Sequence, residues 1–315
     1  MTKTEIVNTG RSSWISGVRS LLLLCPLMIL GIFMSEEISE YTKEGMRLAI
    51  ECVIPTSLPF MLLSDIYVVY GHPENIRLMK GLLESALGVP EGGIAPFICG
   101  NVCGFPIGAK MIADEYESGA LTKAEAERLI PLCNNPSCAF IVGGVGLAIY
   151  GDIRVGFLLL SAVYISTIIC CILTRSKPSK KQYSSNFARQ KYDFTNSVKR
   201  AGISSVGIIS FISIFSVISG IIKRRVKNAP MLCLILSFLE VTNAAKSISE
   251  LACYAPSFAL VATAFTLGFG GLSVGMQSSI FSSSAKLSMK KYYLIKLLEA
   301  LISAGVTSLL IIFKG

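Results

Sequence analysis

The chain has 315 residues, of which 52% are hydrophobic and only 16% charged, with a mean hydropathy of +0.62. Soluble globular domains carry about 25% charged residues, so an ordinary water-soluble domain is excluded and lipid is implied as the solvent. The net charge of +9 then reads as basic loops between apolar segments, not as a nucleic-acid footprint, because no aromatic-interleaved basic platform accompanies it.

The first apolar segment, residues 14–34, contains "LLLLCPLMILGIFM" after Arg11 and Arg19. No small-x-small cleavage pattern follows it before Glu36-Glu37, so an uncleaved transmembrane helix is expected there, with a polar connector to residue 45. A second segment, 46–71, carries Glu51, Pro55, Pro59, Ser64 and Asp65. Ionisable groups are expensive inside a bilayer and are functional candidates by default. Asp65 and Glu51 are therefore expected to carry a proton or a coupling ion, unless they lie at an interface. Residues 76–90 read as a short amphipathic helix ending at Gly88-Val-Pro90.

The stretch "ICGNVCGFPIGAK", Ile98 to Lys110, places three glycines, a proline and an asparagine inside an apolar run. Unsatisfied backbone costs several kcal/mol in hydrocarbon, so such a break survives only against protein or a wet cavity. A re-entrant hairpin is expected over 92–112, with Asn101, Gly104, Phe105, Pro106 and Gly108 at its tip and Lys110 marking the end of one arm. Thr122 and Glu125 have capping-box spacing, which predicts a helix start at that point. That helix should run into the apolar 129–150 and break at Asn134-Asn135-Pro136, where Asn134, Asn135 and Ser137 either contact a solute or cap the broken ends.

Four runs lack any Asp, Glu, Lys or Arg: 129–151, 155–174, 201–222 and 251–285. A bilayer core of about 30 Å needs about 20 apolar residues. Residues 175–200 hold eight Lys and Arg against a single acid, Asp193. They read as a solvated basic linker on the cytoplasmic side, which could also contact anionic lipid. Beyond it come an apolar helix over 201–222, an amphipathic one over 230–248 and a final helix over 297–313. The 251–285 run is too long for one crossing, and Gly268-Phe-Gly-Gly271 supplies a break for a second hairpin. Gly271, Ser273 and Gln277 are its candidate site residues, and Glu299 in the last helix is a weaker candidate.

The fold class expected is thus all-α, a polytopic integral membrane protein with two structural repeats, each containing a Gly-broken re-entrant helical hairpin. The domain plan is 1–45, an N-terminal helix and connector; 46–174, the first repeat with a spanning helix; 175–200, the linker; and 201–315, the second repeat. "GFPIGAK" over "GLSVGMQ" aligns Gly104 with Gly271 and Gly108 with Gly275. Full inversion of the second half would put "KRRVK" (223–227) on the outer side, against the positive-inside expectation. Ten cysteines with no C-x-x-C pair, and a single histidine, His72, predict neither a metal site nor a cofactor. With no nucleophile–base set, an enzyme is not expected.

The segment "GFPIGAKMIADEYESGALTKAEAERLIPLCNNPSCAFIVGGVG" (104–146) resembles the sporulation integral membrane protein YlbJ family, and "GLSVGMQS" (271–278) is similar to its second-half counterpart. That family sits in the nucleoside-recognition, or Gate, group, with relatives in concentrative nucleoside transporters and the membrane core of the FeoB iron transporter. The resemblance implies a cell-membrane protein of endospore-forming bacteria, required for spore cortex formation, with a transporter-like core. By the same resemblance, two re-entrant hairpins and two unwound helices enclose a small-molecule solute. Here the hairpin tips fall at 101–108 and 270–277, and the first unwound helix at 134–137. The second tip lacks the dense polar side chains of the nucleoside transporters, and the last helix has no second Asn-Asn-Pro break. The alternative is a non-transporting scaffold that recruits cortex-assembly partners through the basic linker. The other expected partner is the bilayer, and a homo-oligomer or sporulation membrane partners are compatible with the sequence.

Overall fold

A computed structural model describes residues 28–29, 31–70, 77–176 and 193–314. Most of the first apolar segment, His72 and the centre of the basic linker lie outside the described residues.

Every regular element among the described residues is helical. Helix α1 (Ser35–Leu48) continues through a π-helical turn, Ala49–Val53, into α2 (Ile54–Tyr70). The residues expected to be a connector are thus largely helical. Helix α3 (Arg77–Leu87) stops where Gly88 takes φ +63°, a left-handed position that glycine adopts at a helix end without steric cost. Next come α4 (Ile94–Cys103), α5 (Ile107–Glu117) and α6 (Lys123–Leu132). The predicted capping box is present at the start of α6: Thr122 Oγ1 accepts from the Glu125 amide, and the Glu125 carboxylate accepts from the Thr122 amide.

After the Asn-Asn-Pro break the chain rewinds as a π-helical segment, Phe140–Ile149, and then as α7 (Ile153–Leu173), which Asp152 caps. Helix α8 (Phe194–Arg225) starts within the expected linker, because Asp193 accepts from the Asn196 amide and nucleates it seven residues early. The second half continues with α9 (Ala229–Leu239), α10 (Val241–Ser249), α11 (Pro256–Phe269), α12 (Gly271–Ser284) and α13 (Lys290–Lys314).

Where the chain reverses in this half differs from expectation. Helices α4 and α5 fold back and pack on each other, and so do α9 and α10; α11 and α12 do not pack side by side. The break at 268–271 thus does not fold the chain back on itself as expected; the chain folds back at Glu240. The reason lies in the two caps. Gly270, in the left-handed region at φ +78°, ends α11 and starts α12 without folding one on the other. Glu240 instead takes an extended backbone, φ −153° and ψ 124°, and its carboxylate accepts the Thr242 and Asn243 amides at 2.9 and 2.7 Å. That caps a new helix in a new direction. Phe238 at the end of α9 stands edge-on to Phe265 and Phe269 of α11, which holds the fold-back in place.

Among the described residues, four helical stretches are long and apolar enough to cross a membrane: Ile153–Leu173, Phe194–Arg225, Pro256–Ser284 (α11 and α12 together) and Lys290–Phe313. Their outer faces carry Ile168, Leu173, Ile203, Val206, Leu294, Ile312 and Phe313, all exposed, while Ser166, Thr167, Ser205, Ser216, Ser303 and Thr307 are buried. Apolar outside and polar inside is the arrangement that lipid demands. The chain is a membrane-embedded all-α protein.

One buried cation fastens three helices together. Arg128 of α6 donates to the carbonyls of Leu87, Gly88, Cys171 and Thr174 at 2.7–2.9 Å, tying the ends of α3 and α7 to α6. Arg128→Met keeps the apolar stem and orphans four carbonyl bonds. An unmade buried bond costs about 1–3 kcal/mol, so the variant should lose at least about 3 kcal/mol, read as a lower thermal midpoint in detergent.

Candidate functional site

The site begins with two broken helices seated on one another. Between α4 and α5, Gly104 holds φ +86°, and a Cβ there would lie 2.5 Å from the Ser137 amide nitrogen. Only glycine meets both conditions. The following Phe105–Pro106 bond is cis. Across the contact, the Phe105 amide donates to the Asn135 carbonyl at 2.9 Å, so one break satisfies the other's freed backbone. Ser137 accepts the Phe140 amide at 3.1 Å and restarts the helix.

Side chains complete the seam. Asn101 donates to the Phe97 and Leu132 carbonyls at 2.7 and 3.1 Å. Its oxygen accepts from Asn135 Nδ2 at 2.8 Å, and the same nitrogen lies 2.9 Å from Thr167 Oγ1 on α7. Asn135 Oδ1 accepts from Lys296 Nζ at 2.6 Å, and that ammonium also reaches Glu299 Oε2 at 2.8 Å. Thr167 donates to the other Glu299 oxygen. Lys296 and Glu299, one turn apart on α13, are both 0% exposed. An ammonium and a carboxylate within an apolar helix demand a partner, and each has one.

Asn134 faces the other way. Its amide nitrogen donates to Ser278 Oγ and to the Tyr292 hydroxyl, both at 2.8 Å, which links the break to α12 and α13. Gln277, next along α12, donates to Ser273 at 3.3 Å. The oxygens Asn134 Oδ1 and Gln277 Oε1 are buried and accept no hydrogen bond. Gly271 packs on the α9–α10 reversal, where a Cβ would fall 2.9 Å from the Leu239 carbonyl oxygen.

The structure therefore brings together Asn101, Gly104, Phe105, Pro106, Gly108, Asn134, Asn135 and Ser137. Ser278 ties α12 to them through Asn134, while Ser273 and Gln277 on the same helix bond each other, and Gly271 sits against the second fold-back. Asp65 belongs to a separate cluster. It is buried on α2 and holds Lys110 of α5, while Arg200 of α8 reaches its second oxygen at 2.9 Å. Lys110 also binds Asp114 at 2.7 Å and Ser64 at 3.1 Å. Lys110 thus does not mark an arm's end, for α5 runs on to Glu117; it is buried, with its charge held between two carboxylates. Glu51 is brought to neither cluster. Its exposed carboxylate pairs with Arg47 one turn earlier, at 2.8 Å.

Sequence reasoning missed Thr167, Tyr292, Ser278 and Lys296, and ranked Glu299 low. A usable signal existed for the ion pair: Lys296 and Glu299 have i,i+3 spacing within an otherwise apolar stretch. Starting the last helix at residue 297 put Lys296 outside it.

With this geometry in view, relatives can be weighed. The chain is similar to a sporulation membrane protein. It is 25% identical over 314 residues to the sporulation integral membrane protein YlbJ of Bacillus subtilis (strain 168), an alignment that spans 86% of this chain and 77% of that protein. This similarity supports the family resemblance carried by residues 104–146. No family model matches the chain, and no solved structure matches it.

Proposed function

We propose that the chain is a sporulation-associated membrane gate or transporter for a small polar solute, with a nucleoside-transporter-like Gate core that serves spore cortex formation. The reading takes the two fold-backs, α4–α5 and α9–α10, as re-entrant hairpins. It takes 123–149 and α11–α12 as the two interrupted helices. Each half then repeats one order: fold-back, broken helix, uninterrupted helix. The repeats pair α4–α5 with α9–α10, and the Asn134 break with Gly270 rather than Gly104 with Gly271. Asp65, held by two cations, is a brace between α2, α5 and α8 in this reading, and the basic residues before α8 face the cytoplasm.

The observation that carries the proposal is the pair of orphan acceptors. A buried carbonyl oxygen without a donor costs about 1–3 kcal/mol, yet Asn134 Oδ1, at the break, and Gln277 Oε1, on α12 next in sequence to the Ser278 that Asn134 binds, are both left so. A solute bearing N–H or O–H donors would satisfy them, and unwound segments near the midplane are where transporters place such a site.

Gln277→Met tests this, because it removes one orphan acceptor while leaving the Asn134 bonds to Ser278 and Tyr292 intact. The free protein should keep or slightly raise its melting temperature. Among nucleosides, amino acids and similar small donors, at least one should stabilise the wild type and bind the variant about tenfold more weakly, the worth of roughly 1.4 kcal/mol. A panel in which no solute stabilises the wild type, or in which the variant responds equally, would sink the proposal.

A further inference from the structure

Lys296 is not explained by solute recognition. Its ammonium is wholly buried, two turns into a long apolar helix, where an uncompensated charge is expensive. Around Nζ stand the carboxylate oxygen of Glu299 at 2.8 Å and the amide oxygen of Asn135 at 2.6 Å. Behind them, Thr167 supports the far carboxylate oxygen, and Asn101 fixes the Asn135 amide by accepting from its nitrogen. The oxygens are thus oriented before the cation is considered. The set has hard oxygen donors, one negative charge and two chain segments that converge on the broken helix. Hard monovalent cations prefer such donors. The protein fills the position with its own nitrogen.

We propose that Lys296 is a tethered cation, occupying an alkali-metal-type site built by Glu299 and Asn135, so that the central seam is held closed without a free Na⁺ or K⁺. The ammonium supplies the single positive charge that faces the Glu299 carboxylate and draws α13 onto the Asn134–Ser137 break. Because the charge is covalently attached, its occupancy does not depend on the salt on either side of the membrane. Removing the ammonium while keeping Glu299 converts the position into a free monovalent-cation site. The inference concerns the same seam as the proposed solute site but rests on the ion-pair geometry alone.

The experiment is a melting curve of the purified full chain in detergent, in NaCl, KCl and choline chloride at equal ionic strength. Wild type should melt at the same temperature in all three. Lys296→Ala should melt lower in choline and recover with Na⁺ or K⁺ along a saturable curve, by roughly 5 °C at a hundred times Kd. Lys296→Ala/Glu299→Gln should lose that recovery. If Lys296→Ala cannot be purified in choline, its recovery as folded protein only in NaCl or KCl supports the inference. Failure in every salt while the double variant folds overturns it. Saturable stabilisation of the wild type by Na⁺ or K⁺, or a Lys296→Ala protein indifferent to all three salts, also overturns it. The readout needs no solute, so its failure and the failure of the solute site are separately visible.

Discussion

Gly108→Ala should cost this protein its seam. A Cβ at Gly108 would lie 1.6 Å from the Cys133 carbonyl oxygen and 2.5 Å from its carbon, both backbone atoms that cannot swing aside. Helix α5 must then lift off the end of α6. The Phe105 amide loses the Asn135 carbonyl, and Asn101 loses the Leu132 carbonyl. Overpacking alone costs about 1–3 kcal/mol, and two unmade buried bonds add about 1–3 kcal/mol each. A loss of about 5 kcal/mol is expected, enough to drop the melting temperature by more than ten degrees or prevent purification. Gly202→Ala provides the control: on α8, nothing lies within 4 Å of the added methyl, and alanine gains about 0.5–1 kcal/mol over glycine in a helix interior. A Gly108→Ala protein as stable as the Gly202→Ala one would mean that the close contact between α5 and the end of α6 does not exist.

Much of this arrangement is legible without coordinates, and the parts that are not share a cause. Charge-free runs locate the long helices, the Thr122–Glu125 spacing locates the start of α6, and Gly104 and Pro136 mark breaks because each acts on its own backbone. Such signals are local. Glu240 also acts locally, yet a single acid between two apolar helices reads equally well as the polar edge of one amphipathic helix. Only its extended backbone and its bonds to two following amides reveal the reversal. Lys110 reads as the end of a hairpin arm until Asp65, 45 residues away, is seen to meet it. Lys296 and Asn135 are 161 residues apart. Contacts of that separation leave no trace in periodicity or spacing, so Glu51, a candidate beside Asp65, turns out exposed while the lower-ranked Glu299 stands at the centre.

The Lys296–Glu299 pair yields the sharpest stability experiment, because its two halves should fail separately and largely succeed together. Glu299→Gln leaves an ammonium, 0% exposed, facing two neutral amides. Breaking a buried pair by removing one partner typically costs 3–5 kcal/mol, so the melting temperature should fall by about 10 °C. Lys296→Met should do comparable damage by leaving a carboxylate with only the Thr167 hydroxyl. The combined Lys296→Met/Glu299→Gln protein has no buried charge, keeps the volume, and lets glutamine accept from Thr167. Replacing a buried pair by neutral groups is often neutral or stabilising by 1–4 kcal/mol. The double variant should therefore melt well above either single variant, and near or above the wild type. Additive losses would show that the two charges do not depend on each other. A double variant that is stable but inactive would separate the two roles, for it would mean that the pair is kept for what it does at the broken helix and not for how firmly it holds α13.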